Sequence, residues 1–431
     1  MSKLSWGIAS LLCLSAVLFG QTTSLSGTVA DPSGAVIPGA TVSNRQTLAA
    51  ILEPLRHEFS LSDTQLGGLF TLFTVVFALA GVPLGKLADT RSRRGPLACG
   101  AAVWTGLTGL AGLATSYALL LGTRLGVGIG EAVCTPAAAS WIGDLVPASR
   151  RARAMAGFMM AVPVGIMLSS AIGGAVAQAH GWRMALVLAA VPGLVLVPAV
   201  LWLREPPRPP LPAAGARAAA LPAVFWWIAA SGAVVNFALY SFSTFLPAFL
   251  TRYHGMSVAQ AGIWTGVGSG ASGILGAAAA GLLGDRVKNR LWLAAGASLA
   301  AAGPVYAAIR MPAGSAAGAI WLAMTGYGLL QMYYGLVYAA IQDVAGPEMR
   351  GRAMATYFVV TYLGGASWGP LVTGRLSDFL AHRSLLPAEA ARAVGLHDAM
   401  YVIPALAVVL AAVLWQAGRR PAAACETEPR P

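Results

Sequence analysis

The 431 residues are 57% hydrophobic and only 10% charged, with a mean hydropathy of +0.69. A soluble globular chain carries about 25% charged residues, so a large soluble core is excluded, and the length suits about twelve membrane helices of roughly 20 residues. The net charge of +12 would suit nucleic acid in a soluble protein, but its placement argues otherwise. With 86–94 taken as cytoplasmic, Lys and Arg gather in 86–94, 150–153, 204–217, 286–290, 350–352 and the C-terminal tail, and are sparse in the loops between. That is the positive-inside bias of a multi-pass membrane protein. A nucleic-acid partner is therefore not expected.

The first 44 residues differ from the rest. Lys3 followed by an apolar run from Leu4 to Phe19 and then Gly20-Gln21-Thr22 reads as a secretory signal sequence. Residues 26–42 carry turn chemistry at Asp31-Pro32-Ser33-Gly34 and Pro38-Gly39 between β-branched residues. They resemble the opening strands of a carboxypeptidase-regulatory-like sandwich, cut too short to close one. From Arg45 the character changes. Residues 45–58 read as a helix end, and 66–88 as an apolar span. Further spans are expected at 97–116, 118–142, 154–178 and 184–203. A Pro-rich cytoplasmic linker at 204–221 cannot be helical throughout. Beyond it, spans are expected at 223–250, 259–284, 291–309, 316–342, 354–374 and 399–416, with a cytoplasmic tail from 417.

Three motifs recur about half a chain apart. Gly85-x-x-x-Asp89 with Arg93 and Arg94 returns as Gly281-x-x-x-Asp285 with Arg290. Ser62-x-x-Gln65-x-Gly67 returns as Ser257-x-x-Gln260-x-Gly262. Asp144 with Arg151-Ala-Arg153 returns as Asp343 with Arg350-Gly-Arg352. Two similar halves, 45–203 and 222–416, joined by a linker are a transporter architecture. The repeat also maps the seventh span onto about 28–55, where the chain is polar and turn-rich in its first half. The first half of span 1 is thus expected to be replaced by the foreign leader 1–44.

Gly85-x-Leu-Ala-Asp89-x-x-x-Arg93-Arg94 resembles the loop motif of the major facilitator superfamily, and Arg124-x-x-x-Gly128-x-Gly130 resembles its fourth-helix motif. Arg124-Leu-Gly-Val-Gly-Ile-Gly-Glu131, Gly181-Trp-Arg183, Arg204-Glu-Pro and Arg45-Gln with Glu53-Pro are similar to the Spinster-like branch. The resemblance implies an all-α polytopic fold of twelve helices in two six-helix bundles, with span 1 incomplete. It implies transport of a small organic or lipid-like anion, possible substrates being lysolipid or sphingoid compounds, with proton coupling. The branch usually has Asp-Arg in the middle of helix 1, where this chain has Asn44-Arg45.

Arg124 and Glu131 are seven apart, which on an ideal helix is about 20° in direction and about 10 Å along the axis. They share one face, and Gly122, Gly126 and Gly130 form a small-residue stripe suited to close packing roughly opposite. A charge at mid-membrane costs at least about 2.5–3.5 kcal/mol on insertion scales, so it faces a cavity or a partner. The pair is either a substrate and proton site or a structural ion pair. Arg45 is either a second substrate contact or an Arg snorkelling to the interface. Gln331, Tyr334 and their neighbours Tyr333 and Tyr338 put polar tips in an apolar span, as substrate contacts or as packing. Asp89, Arg93 and Arg94, with Asp285 and Arg290, read as a cytoplasmic gate, and Asp144 and Asp343 as caps or partners of Arg153 and Arg352.

Cys13, Cys99, Cys134 and Cys425 have no Cys-x-x-Cys spacing, and none of the five histidines has metal-ligand company. No metal, cofactor or nucleophile–base set is expected, and so no enzyme activity. The reading is an inner-membrane, monomeric secondary transporter whose partners are its substrate, protons and the bilayer. The alternative is an inserted but transport-inactive fusion product lacking the first half of span 1.

Overall fold

The computed structural model describes residues 44–90, 92, 94–134, 148–202, 221–345 and 349–420. The expected leader falls almost wholly outside these residues, as do the linker and the end of the tail. Among the described residues all regular structure is helical.

The N-terminal half holds α1 (Asn44–Ala50), α2 (Leu52–Phe59), α3 (Asp63–Thr90), α4 (Arg94–Ala111), α5 (Tyr117–Ala132), α6 (Ala148–His180) and α7 (Trp182–Trp202). The C-terminal half holds α8 (Ala223–Arg252), α9 (Val258–Gly284), α10 (Arg290–Arg310), α11 (Ala316–Val344), α12 (Arg350–Thr361), a π turn (Tyr362–Ala366), α13 (Gly369–Arg383), α14 (Ala388–Ala399) and α15 (Val402–Arg419). Read as spans, α1–α2 are the described part of span 1, α12–α13 are span 11 and α14–α15 are span 12. Among the described residues, six stretches are long and apolar enough to cross a membrane, including Trp182–Trp202, Ala223–Arg252 and Val258–Gly284.

Local chemistry explains the breaks. Pro54 has no amide hydrogen and its ring crowds the carbonyl four residues back, so α1 ends at Ala50 and a new helix begins at Leu52. The repeated Ser-x-x-Gln-x-Gly motif is a helix start. Gln65 N–H donates to Ser62 Oγ (3.2 Å) and Ser62 N–H to Gln65 Oε1 (2.9 Å) at the head of α3. Ser257 and Gln260 make the same reciprocal capping box at the head of α9.

The glycine of that motif has a second task. In lipid, helices associate by close packing rather than by apolar burial, so small residues sit where backbones approach. A Cβ on Gly67 would run into the Pro370 carbonyl of α13, and one on Gly262 would lie 2.6 Å from the Ser170 carbonyl of α6. The two halves therefore meet at α3 on α13 and α9 on α6, two crossings related by the repeat.

The C-terminal half has one continuous core, including Phe225, Phe245, Tyr333, Leu336 and Leu410. The described N-terminal core is split. One cluster holds Leu97, Trp104, Val127 and Leu196; the other holds Leu48, Ile51, Leu52, Leu55, Leu69 and Leu186. The described part of span 1 is thus a fully packed element, not a frayed end.

Candidate functional site

Helix α5 carries the buried charges Arg124 and Glu131. Ser116 caps its start, its side chain accepting from Leu119 N–H (3.2 Å). Gly130 lets α5 close on α4, since a Cβ there would lie 2.7 Å from the Gly100 carbonyl, and Gly128 lets it close on α3, 2.9 Å from the Phe73 carbonyl. Gly126 packs against Leu107 of α4, but a Cβ on Gly122 would meet nothing within 4 Å. The expected three-glycine stripe is therefore two glycines long on α4.

These approaches seal the charges inside. Arg124 is 2% exposed and Glu131 4%. Nε and Nη2 of Arg124 are buried with no hydrogen-bond partner. Glu131 acts on Arg124 through its charge, and no direct ion pair joins them among the described contacts.

The C-terminal half presents a cluster of tyrosines. Tyr334 donates to Asn236 Oδ1 (3.0 Å), and Tyr333 shares a hydrogen bond with Ser231 (2.7 Å) and receives one from Tyr357 (3.2 Å). Ring contacts run from Tyr334 to Tyr338 (5.7 Å), to Phe358 (5.8 Å), to Tyr362 (6.4 Å), and then to Phe77 of α3 (5.6 Å). The chain of rings thus crosses between the halves one turn from the α5 contact. The Cβ of Gln331 stands against Gly276 of α9, so its stem faces a helix of its own half.

Sequence reasoning missed an ion network, buried at Arg252, Asp63, Glu53 and Arg56 and exposed at Glu389, at the end of the bundle opposite the basic loops. Arg252, at the end of α8, donates Nη1 and Nη2 to the two carboxylate oxygens of Asp63 (both 2.8 Å) and Nε to Glu53 (2.5 Å). Arg56 donates to Glu53 (3.0 Å) and, through both Nη atoms, to Glu389 (3.3 and 2.9 Å). Asp378 of α13 accepts the Asp63 and Thr64 amide hydrogens (3.0 and 2.8 Å), so an acid of one half caps a helix of the other. Ser377 adds a hydrogen bond to Asp63 (2.6 Å). Only Asp63 had a local signal, its place inside a capping box; its partners lie 189 and 315 positions away.

The expected cytoplasmic gate is described in part. Arg93 and Asp144 lie outside the described residues, as do the side chains of Arg45 and Asp89. Arg94 begins α4 and is exposed. Asp285 is the exposed C-cap of α9. Arg290 pairs with Asp343 at the end of α11. Two repeated motifs of the second half are thus joined to each other, within that half. Among the described residues no group of three or more His, Cys, Asp or Glu could hold a metal ion.

The Major Facilitator Superfamily model matches residues 36–370. An "MFS-type efflux pump" of Mycolicibacterium smegmatis is 33% identical over 86% of this chain and 88% of its own. "Protein spinster homolog 3" of Danio rerio is 27% identical over 84% of this chain and 79% of its own. A crystal structure of a bacterial homolog of the human lysosomal transporter Spinster, in an inward-facing and occupied conformation, superposes with a TM-score of 0.80 at 26% identity, covering 97% of this chain and 98% of that one. A D-xylose–proton symporter superposes at 0.71 with 15% identity, which shows the shared fold alone. Rings, buried charges and paired bundles thus sit in a known architecture: the chain belongs to the Major Facilitator Superfamily, in its Spinster-like branch, and is a membrane transporter, not an enzyme.

Proposed function

We propose that the chain moves a small amphipathic or lipid-like anion by alternating access, coupled to protons. The observation that carries this is Arg124, a buried guanidinium with two unpartnered nitrogens. A buried charge without full hydrogen bonding is costly, and an anionic substrate group supplies what is missing. The tyrosine wall offers apolar ring faces with a few polar tips, which suits the body of such a molecule. Glu131, two turns along α5, takes the role of proton carrier; when it gains a proton, Arg124 loses a nearby negative charge and competes harder for the anion. Arg45, Tyr334 and Gln331 are the further substrate contacts of this reading. A relative of Danio rerio is named "Sphingosine-1-phosphate transporter", which fits a substrate with an apolar tail and an anionic head.

Alternating access needs one end shut while the other is open. The network of Arg252, Asp63, Glu53, Asp378 and Glu389 ties the two halves at the end opposite the basic loops. With the basic loops cytoplasmic, that network is the closed outer gate of an inward-facing state. Asp89, Arg93, Arg94, Asp285 and Arg290 then form the inner latch of the opposite state, with the C-terminal tail in the cytoplasm.

The test is uptake of a fluorescent lysophospholipid into proteoliposomes under an imposed pH gradient. Glu131→Gln is expected to abolish gradient-driven uptake while leaving binding in place. Arg124→Ala is expected to lose binding. Undiminished gradient-driven uptake by Glu131→Gln removes the proton role, and unchanged affinity in Arg124→Ala removes the anion site.

A further inference from the structure

We infer that the basic end of the C-terminal half carries a built site for the headgroup of an anionic phospholipid. The loop 285–289 and the end of α15 are fixed to each other there. Asn289 caps α10 through the Leu291 and Trp292 amides (3.1 and 3.3 Å), and its side-chain nitrogen donates to the Gly418 carbonyl (3.0 Å). Gly418 is packed so closely that a Cβ would strike the Trp292 ring. One residue therefore holds two basic segments side by side.

Those segments present Arg286, Lys288, Arg419 and Arg420, all exposed. Arg290 is neutralised by Asp343, and Asp285 is the remaining acid of the loop. Among the described residues, Arg419 and Arg420 have no carboxylate partner. They lie on rings instead: Arg419 is 5.7 Å from the Trp415 centroid and Arg420 is 4.9 Å from that of Trp227. A guanidinium resting on a ring face keeps its in-plane N–H groups free, the fork geometry that binds phosphate bidentately.

The rings also say where the phosphate comes from. Trp292 and Trp415 stack at 5.2 Å and 22°, each a little under half exposed (44% and 45%). Tryptophans at the rim of an apolar span sit at headgroup level, ring in the interface and nitrogen toward water. An apolar ring pair beside free guanidinium groups fits a molecule whose acyl chains lie along α10 and α15 and whose phosphate lies above them. Loose positive charge attracts anionic lipid over a whole surface. Here the charges are pre-positioned by Asn289 and the tryptophans, so a defined site follows.

The test uses the purified full chain in detergent, with thermal stability and native mass spectrometry read against added phosphatidylglycerol or phosphatidylcholine. Phosphatidylglycerol is expected to bind and stabilise; phosphatidylcholine is not. The double variant Arg419→Gln, Arg420→Gln is expected to weaken phosphatidylglycerol about tenfold or more, the loss of at least one charge-assisted contact. Arg419→Lys, Arg420→Lys keeps the charge but not the fork, and an intermediate affinity is expected. Equal stabilisation by both lipids, an unchanged glutamine variant, or a lysine variant as tight as the parent each overturns the site. The readout needs no transport, so its failure is separate from failure of the transport reading.

Discussion

Two arginines have buried side chains in this protein and differ in what surrounds them. Arg252 has every nitrogen bonded, to Asp63 and Glu53, in a network that joins the two halves. Arg124 is fully buried, yet two of its nitrogens have no partner. Saturation marks a group whose work is done in the resting structure. In the proposed transport cycle, deficit marks the group that takes the anion. The sharpest way to break this contrast is Arg252→Ala, which leaves Asp63 as an uncompensated buried charge and Glu53 with Arg56 as its remaining guanidinium partner. Removing one member of a buried pair costs about 3–5 kcal/mol. Two results are expected: a lower melting temperature and a wider separation of the halves at that end. Spin labels at the exposed Leu113 and Leu385 would report the separation; an unchanged distance distribution would make the network a strut and not a gate.

The double variant Arg124→Met, Glu131→Leu reverses the sign. Replacing both members of a buried charge pair by apolar side chains of similar volume is often neutral or stabilising, by about 1–4 kcal/mol. The variant is expected to melt at or above the parent while binding no anion. A melting temperature that falls as far as in Arg252→Ala would make Arg124 and Glu131 a structural pair, and the contrast would disappear.

The same contrast explains what could be read beforehand. Spans, repeat and family resemblance are written in local patterns: apolar runs, a loop motif, a capping box, spaced glycines. Arg124 and Glu131 were legible because a charge inside an apolar run stands out against its neighbours. Arg252 did not stand out, because it falls at a helix end where a basic residue is ordinary, and its partners are brought to it by the fold. The double duty of Gly67 and Gly262 was equally hidden. The repeat displayed both glycines, but only the crossings of α3 on α13 and α9 on α6 show why a side chain is excluded there. Arg290 illustrates the converse: its loop motif was visible, its partner Asp343 was visible in another motif, and nothing local tied the two together.

The smallest effect, and the finest probe of the contrast, is at Tyr334. Its hydroxyl donates to Asn236 Oδ1 at 3.0 Å, and Asn236 in turn donates to the Gly232 carbonyl at 2.9 Å. In the resting structure Tyr334 is therefore partnered, as Arg252 is, although it stands in the wall assigned to substrate, as Arg124 does. Tyr334→Phe keeps the ring contacts with Tyr333 and Tyr338 and removes one hydrogen bond. A typical internal hydrogen bond contributes about 0.5–1.5 kcal/mol. If Tyr334 only packs, stability falls by that amount and affinity for the lysophospholipid stays as it was. If the hydroxyl exchanges Asn236 for the substrate on binding, affinity falls by roughly three- to tenfold at a similar stability cost. The second outcome is expected, because the ring chain from Tyr334 ends on Phe77 of α3, the helix that packs on α5. Measuring melting temperature and affinity on the same variant separates a wall that holds the bundle from a wall that holds a ligand.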